Sequence, residues 1–141
     1  MTDLNDFIIS ESGVLTEYLG DSPRITIPDG VKSIDMYVFC GLDNLEEIVI
    51  PDSIEAIDDS NFEDCDNLNY NKTDGSRYLG NASNPYLVLV SADEDITELD
   101  VKDGCRVIMG NALANNSNLC RLSIPSSVKY IGFMAFFLVS I

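Results

Sequence analysis

The 141-residue chain contains no histidine and only 8 lysines and arginines, set against 24 aspartates and glutamates. Without histidine, neither a Ser–His nor a Cys–His nucleophile can be assembled from its residues. A mixed Cys/His zinc site is excluded for the same reason, and Cys40, Cys65, Cys105 and Cys120 include no Cys-x-x-Cys pair. The cysteine positions do not pair in any repeated register, so free thiols are expected. Few cations and a net charge of −16 leave no basic footprint for phosphates, which removes nucleic acid and anionic membrane surfaces as expected partners. No apolar run reaches the roughly 20 residues that a membrane-spanning helix needs. The segment Met1-Thr-Asp-Leu-Asn-Asp-Phe-Ile has neither the basic nor the apolar region of a secretory leader. As written, the chain is cytoplasmic; with a leader already removed, it is extracellular or at the cell surface. No glycine-rich phosphate loop is present: Gly80 and Gly110 are isolated turn glycines.

Apolar residues make up 45% of the chain, enough for a folded core despite the charge. They follow a 23-residue rhythm. Ile25-Thr-Ile27-Pro28-Asp-Gly-Val31-Lys-Ser-Ile34 is followed by Phe39 and Leu45; Ile48-Val-Ile50-Pro51-Asp-Ser-Ile54-Glu-Ala-Ile57 by Phe62 and Leu68; and Leu122-Ser-Ile124-Pro125-Ser-Ser-Val128-Lys-Tyr-Ile131 by Phe136. A weaker copy, Leu99-Asp-Val101-Lys-Asp-Gly-Cys105-Arg-Val-Ile108, leads to Leu113 and Leu119. A fixed period of this length signals a solenoid, whose units bury their apolar faces only against one another.

Within a copy, Ile-x-Ile places two apolar side chains on one face of a short strand. Proline then ends the strand, because it cannot donate to the ladder, and Asp-Gly or Asp-Ser turns the chain. Val-x-x-Ile begins a second wall, and the stretch from Ile34 to Leu45 is expected to hold a helical turn or a loose loop. Cys105 occupies the core slot of Val31, Ile54 and Val128, as a small buried hydrophobe.

The frame is absent before residue 25, where two strand-like runs flank Glu11-Ser-Gly13 and read as a hairpin cap. It fails once inside the chain: Ile48 to Leu99 spans 51 residues where two periods give 46. There, two strand-like runs flank Gly80-Asn-Ala-Ser-Asn-Pro85 and read as a hairpin insertion. The identical triplets Tyr18-Leu-Gly20 and Tyr78-Leu-Gly80 suggest that cap and insertion are built alike, and the apolar run Tyr86–Val90 must be buried or paired. The expected organisation is one domain over 1–141: a cap at 1–24, repeats 1 and 2 at 25–70, the insertion at 71–96, and repeats 3 and 4 at 97–141, the last incomplete.

The frame Ile-x-Ile-Pro-x-x-Val-x-x-Ile-x-x-x-x-Phe, recurring from residue 25 to 136, resembles the BspA-like, or Treponema-type, leucine-rich repeats. The Tyr-Leu-Gly…Asn-Pro-Tyr segment is also similar to one in that family. The resemblance implies a leucine-rich-repeat solenoid, β-dominated with short helical turns, of about four 23-residue coils with an N-terminal hairpin cap and one hairpin insertion. It further implies a non-enzymatic scaffold, without cofactor, of the kind found in surface proteins of bacteria and some protists that bind host or neighbouring-cell proteins.

Outward residues of the first strand row are the expected partner-binding strip: Arg24, Thr26, Glu47, Val49, Glu98, Asp100, Arg121 and Ser123. A second row, Lys32, Glu55, Arg106 and Lys129, reads as cross-strand charge pairing. The apolar end, Phe133, Phe136, Phe137 and Leu138, is read first as a truncated repeat or as locally buried; the alternative is a self-association surface through which two copies would form a homodimer. Asp58-Asp59, Glu63-Asp64-Asp66 and Asp93-Glu94-Asp95 are acidic clusters that read as solvated loop charge, with calcium binding a lesser alternative. Asn71, Asn81 and Asn115 begin Asn-x-Ser/Thr sequons of the kind that arise by chance in an asparagine-rich chain.

Overall fold

The computed structural model describes residues 4–137 and 139. A 3-10 turn at Leu4–Asp6 leads into β1 (Phe7–Ile9) and β2 (Val14–Tyr18), then β3 (Arg24–Thr26), β4 (Ser33–Ile34), β5 (Glu47–Val49) and β6 (Ala56–Ile57). The irregular section holds β7 (Asn71–Thr73), β8 (Ser76–Leu79) and β9 (Val88–Ala92). The frame then resumes as β10 (Glu98–Asp100), β11 (Val107–Ile108), β12 (Arg121–Ser123) and β13 (Tyr130–Ile131).

These short strands stack into a solenoid with two parallel walls. On the first wall β3 pairs with β5 and β10 with β12, each in a register offset of 23 residues: Ile25 lies opposite Ile48, and Leu99 opposite Leu122. The second wall runs β2–β4–β6 and, separately, β9–β11–β13. The alternation expected of Ile-x-Ile is realised in β3, β5 and β10, whose central residue is buried between two exposed neighbours. In β12 the central Leu122 is only half-buried.

The third side of each coil contains no helix. Among the described residues the 3-10 turn is the only helical element, which corrects the expected short helical turns. The backbone gives the reason. Tyr37, Ser60, Asn111 and Met134 all have left-handed φ values, 65°, 64°, 61° and 56°, and all lie three residues after the second-wall isoleucine. A second left-handed position follows at Gly41, Asp64 and Asn115. An L-residue in that region breaks a right-handed helix at a cost of roughly 1–2 kcal/mol. Coil-to-coil bonds hold the corner in place: Phe62 N donates to Phe39 O (2.8 Å), Gly41 N to Glu63 O (2.8 Å), Leu113 N to Ala135 O (2.8 Å) and Asn115 N to Phe137 O (2.8 Å).

Inside this corner runs an aromatic file. Phe39 stacks on Phe62 with ring centroids 6.0 Å apart and planes 2° from parallel, while Tyr18 and Phe7 continue the file into the cap. The β1–β2 hairpin therefore covers the first coil, as a solenoid end requires. Turn serines stitch the proline corners: Ser53 Oγ donates to Val31 O (2.7 Å) and accepts from Gly30 N (3.0 Å), and Ser127 Oγ makes the same pair of bonds to Cys105 O (2.7 Å) and Gly104 N (3.2 Å).

Both walls are interrupted between the second coil and the resumption of the frame. The interruption holds three strands: β8 pairs antiparallel with β7 on one side and with β9 on the other, and β9 joins the second wall beside β11. Leu87, Val88 and Leu89 are fully buried, so the apolar run is both paired and covered. The likeness of the two Tyr-Leu-Gly triplets is local. Tyr18 sits in β2, directly on the wall, whereas Tyr78 sits in β8, one strand removed from it.

No strand pairing joins β6 to β9 or β5 to β10. The gap is closed instead by Ile50 N donating to Gly80 O (2.9 Å), by Asn81 Nδ2 donating to Ile50 O (2.8 Å) and Asp52 Oδ1 (2.9 Å), and by Arg106. Arg106 Nη1 donates to Ile54 O (3.0 Å) and also to Asp52 O, from just before β11 on the far side of the gap. The ladder order, in which Arg106 N donates to Leu87 O, places its side chain across the Leu87 rung. Leu87, in a slot that is charged in the four regular coils, is fully buried there. Hydrogen bonds to a charged group contribute about 1.5–3 kcal/mol. Arg106→Met, which keeps an apolar stem over Leu87, should therefore lower the unfolding free energy by about 2 kcal/mol in a urea titration; an unchanged midpoint would show that the guanidinium does not bridge the gap.

Candidate interaction surfaces

The outward residues of the first wall are exposed, and their register brings them together in two groups. In the first, Arg24 faces Glu47 and Thr26 faces Val49, with Arg24 Nε 3.8 Å from Glu47 Oε2. In the second, Glu98 faces Arg121 and Asp100 faces Ser123. Arg121 is forked between two acids: Nε lies 3.1 Å from Glu98 Oε2, Nη1 2.8 Å from Asp100 Oδ1 and Nη2 3.3 Å from Asp100 Oδ2. That hydrogen bonding pulls the Asp100 carboxyl below its ordinary range and holds Arg121 in its charged form.

The single four-row strip expected from the sequence is thus divided. The chain between β5 and β10 is routed through β7 and β8, so β5 borders a groove lined by Val49, Tyr70, Asn71, Asn81 and Pro85 rather than the next row.

The second-wall row differs more sharply from expectation. Lys32, Glu55, Arg106 and Lys129 line one groove with Asp52 and Ser53, yet they do not form the expected charge pairs. Among the described residues, ion pairs within 4.0 Å join Arg24, Arg77, Lys102 and Arg121 to carboxylates, and none involves Lys32, Arg106 or Lys129. Successive rungs here carry Lys32, Glu55, the buried Leu87, Arg106 and Lys129. The gap and the intervening leucine separate the one acid from the later cations.

The acidic clusters do not converge. Asp93 is paired with Arg77, and among the described residues no three acids or thiols come together to hold a metal ion. Asp58 is disturbed by its surroundings: partial burial, then the nearby Asp35 and Asp59, raise its carboxyl above the ordinary range. Beside it lies Asn61, an important residue that no sequence pattern marks. Its buried amide donates to Asp35 O (2.9 Å) and Asp58 O (2.8 Å) and accepts from Phe39 N (2.9 Å), which pins the corner of two coils.

All four cysteines are free thiols. Cys105 is fully buried, and desolvation pushes its thiol up to about 11, well outside the range of a reactive group. At the C-terminal end, Phe133 and Phe137 are 66% and 47% exposed. Phe136 turns inward and packs on the second core cluster with Leu113 and Leu119, so it is not part of an exposed surface; its place in the repeat frame, equivalent to Phe39 and Phe62, explains the difference. Leu138 lies outside the described residues.

The stacked walls, the 23-residue register and the proline corners define a leucine-rich-repeat solenoid. Residues 18–83 and 90–141 match the BspA type leucine-rich repeat region (6 copies), and the chain belongs to that family. It is also similar to the crystal structure of a leucine rich cell surface protein from Faecalibacterium prausnitzii A2-165, at 21% identity and a TM-score of 0.44, over 80% of this chain and 38% of that one. The chain therefore spans about two fifths of that structure's length. No curated protein matches it. Among the described residues no helix is long and apolar enough to cross a membrane.

Because the folded state raises the Asp58 pKa, it binds that proton more tightly than the unfolded chain does. Ionised Asp58 therefore subtracts from stability at neutral pH, and the loss is recovered as pH falls through the raised value. Asp58→Asn should raise the melting temperature at pH 7, with the difference from the parent shrinking once the pH drops into the ordinary carboxylate range. A pH-independent difference would assign the effect to packing.

Proposed function

We propose that this chain is a non-enzymatic interaction scaffold, acting at the cell surface or outside the cell, whose first-wall strip contacts a protein of a host or neighbouring cell. The observation that carries this reading is the division of labour along β3, β5, β10 and β12: the central side chains face the core and every flanking side chain faces solvent in fixed register. A rigid row of this kind presents side chains with little further loss of conformational freedom on binding, which favours recognition. The forked Arg121 adds a pre-ordered polar centre, while the family supports a repeat scaffold.

The test uses the double variant Glu47→Lys/Glu98→Lys, immobilised beside the parent chain and exposed to host-cell surface extract. Reversing two exposed charges should weaken capture of the retained protein by about tenfold, at about 1 kcal/mol or less per exposed pair, with circular dichroism confirming the fold. Equal capture by both would count against this strip.

Exposure of Phe133 and Phe137, with Ile131 also 47% exposed, favours a second reading in which two copies pack through this end. Multi-angle light scattering at increasing concentration should then show a dimer that Phe133→Ser/Phe137→Ser abolishes. A clean monomer at high concentration removes the dimer.

A further inference from the structure

We infer that the second-wall groove between Lys32 and Lys129 is a docking site for a short, extended acidic segment of a partner protein. The chain carries three acids for every base, so a cation left without a carboxylate is unusual. Arg24, Arg77, Lys102 and Arg121 each have one within 4.0 Å. Of the four other basic residues, Lys32, Lys72, Arg106 and Lys129, three line this groove.

The acids within the groove do not neutralise it. The Asp52 carboxylate is turned toward the insertion, where Oδ1 accepts from Asn81 Nδ2 (2.9 Å) and Oδ2 from Ser83 Oγ (3.4 Å). With Glu55 it sets two carboxylates against three cations, which leaves the groove net positive on a molecule of charge −16. Arg106 uses Nη1 for the carbonyls of Asp52 and Ile54, and Lys129 Nζ donates to Ser126 O at 3.0 Å. Neither lysine head group is buried, so both remain available to a ligand.

Charge and spacing together select the occupant. The whole molecule, at −16, repels a long polyanion, and only within a Debye length of about 8 Å does a local cluster override that field. A short segment is therefore favoured over a nucleic acid strand. From Lys32 to Lys129 the wall climbs three paired steps, about 14 Å at ~4.8 Å each, plus the unpaired gap beyond Glu55, a span that an extended peptide at about 3.3 Å per residue covers in roughly six residues or more. Carboxylates on such a peptide would occupy the places of the acids that the ladder lacks beside Arg106 and Lys129, and would reach Lys32, whose neighbour Glu55 forms no ion pair with it. This surface is separate from the first-wall strip, and its test is independent of that strip.

Hexaglutamate is the probe, titrated into the full chain labelled with nitrogen-15 at physiological ionic strength. Saturable shifts should centre on the amides of Lys32, Ser53, Arg106 and Lys129, and binding should weaken as salt rises. Lys32→Glu and Lys129→Glu, both at exposed positions, should each reduce affinity by about tenfold, since each replaces an attraction with a repulsion. Lys72→Glu on β7 and the first-wall double variant should bind as the parent does. Absent saturable binding, equal loss at Lys72→Glu, or tighter binding of a six-nucleotide single-stranded DNA than of hexaglutamate would each overturn the assignment.

Discussion

The structure depends on coil-to-coil backbone hydrogen bonding at a fixed 23-residue offset. Lys32 O accepts from Glu55 N (2.7 Å) and Ala56 N (3.2 Å), Ile34 O accepts from Asp58 N (2.9 Å), and Arg106 O accepts from Lys129 N (2.8 Å) and Tyr130 N (3.2 Å). A single coil has few internal partners for these groups and too little apolar surface to offset the entropy of ordering its backbone. Everything else follows from keeping that offset. The inward residues stack like on like, the aromatic rings of Phe39 and Phe62 fall parallel, and the turn serines Ser53 and Ser127 land opposite equivalent carbonyls of the preceding coils. Even the left-handed corner residues are tolerated because neighbouring coils bond to the backbone on either side of them.

Where the offset fails, the protein substitutes side chains for ladder bonds. The extra length between Ile48 and Leu99 forms β7, β8 and β9, and only β9 returns to the wall. Asn81 and Arg106 then supply donors to the carbonyls of Ile50, Asp52 and Ile54 in the second coil, Arg106 serving Ile54 O as the turn hydroxyl of Ser53 serves Val31 O. The core crosses the same gap without a break: Leu79, Leu87 and Val88 pack with the first coils, whereas Tyr78 and Leu89 pack with the later ones. Apolar contact tolerates a change of register far better than a hydrogen-bond ladder does, because it has no directional requirement. The two halves are thus joined by a continuous core and a handful of polar side chains.

Much of this could be read from the sequence because the inward residues obey a strict period. Ile25, Ile48 and Leu99 announce the first wall, Ile34, Ile57 and Ile108 the second, and the prolines the corner between them. The turns of the third side could not be read in the same way. Their left-handed positions are filled by Tyr37, Ser60, Asn111 and Met134, four residue types with no common preference for that conformation; the coil above imposes it. The first-wall strip was legible residue by residue but not as a whole, since its continuity rests on pairing across the 51-residue interval. Asn61 and Arg106 were opaque for a related reason: their partners are backbone groups, which leave no mark in a sequence.

The second-wall charges show what such opacity can conceal. By their place in the repeat frame, Lys32, Glu55, Arg106 and Lys129 form a column in which an acid lies between bases, and pairing is the natural expectation. Two features of the fold keep Glu55 from Arg106 and Lys129. The ladder gap falls beyond Glu55, and the rung that follows carries Leu87, whose burial leaves no charge to continue the alternation. Arg106 is drawn back over that rung by the carbonyls it must satisfy, which brings its guanidinium into the groove already holding Lys32. The same interruption that weakens the backbone ladder therefore concentrates positive charge on one face of an acidic protein, so the structural repair and the local electrostatics share a single cause.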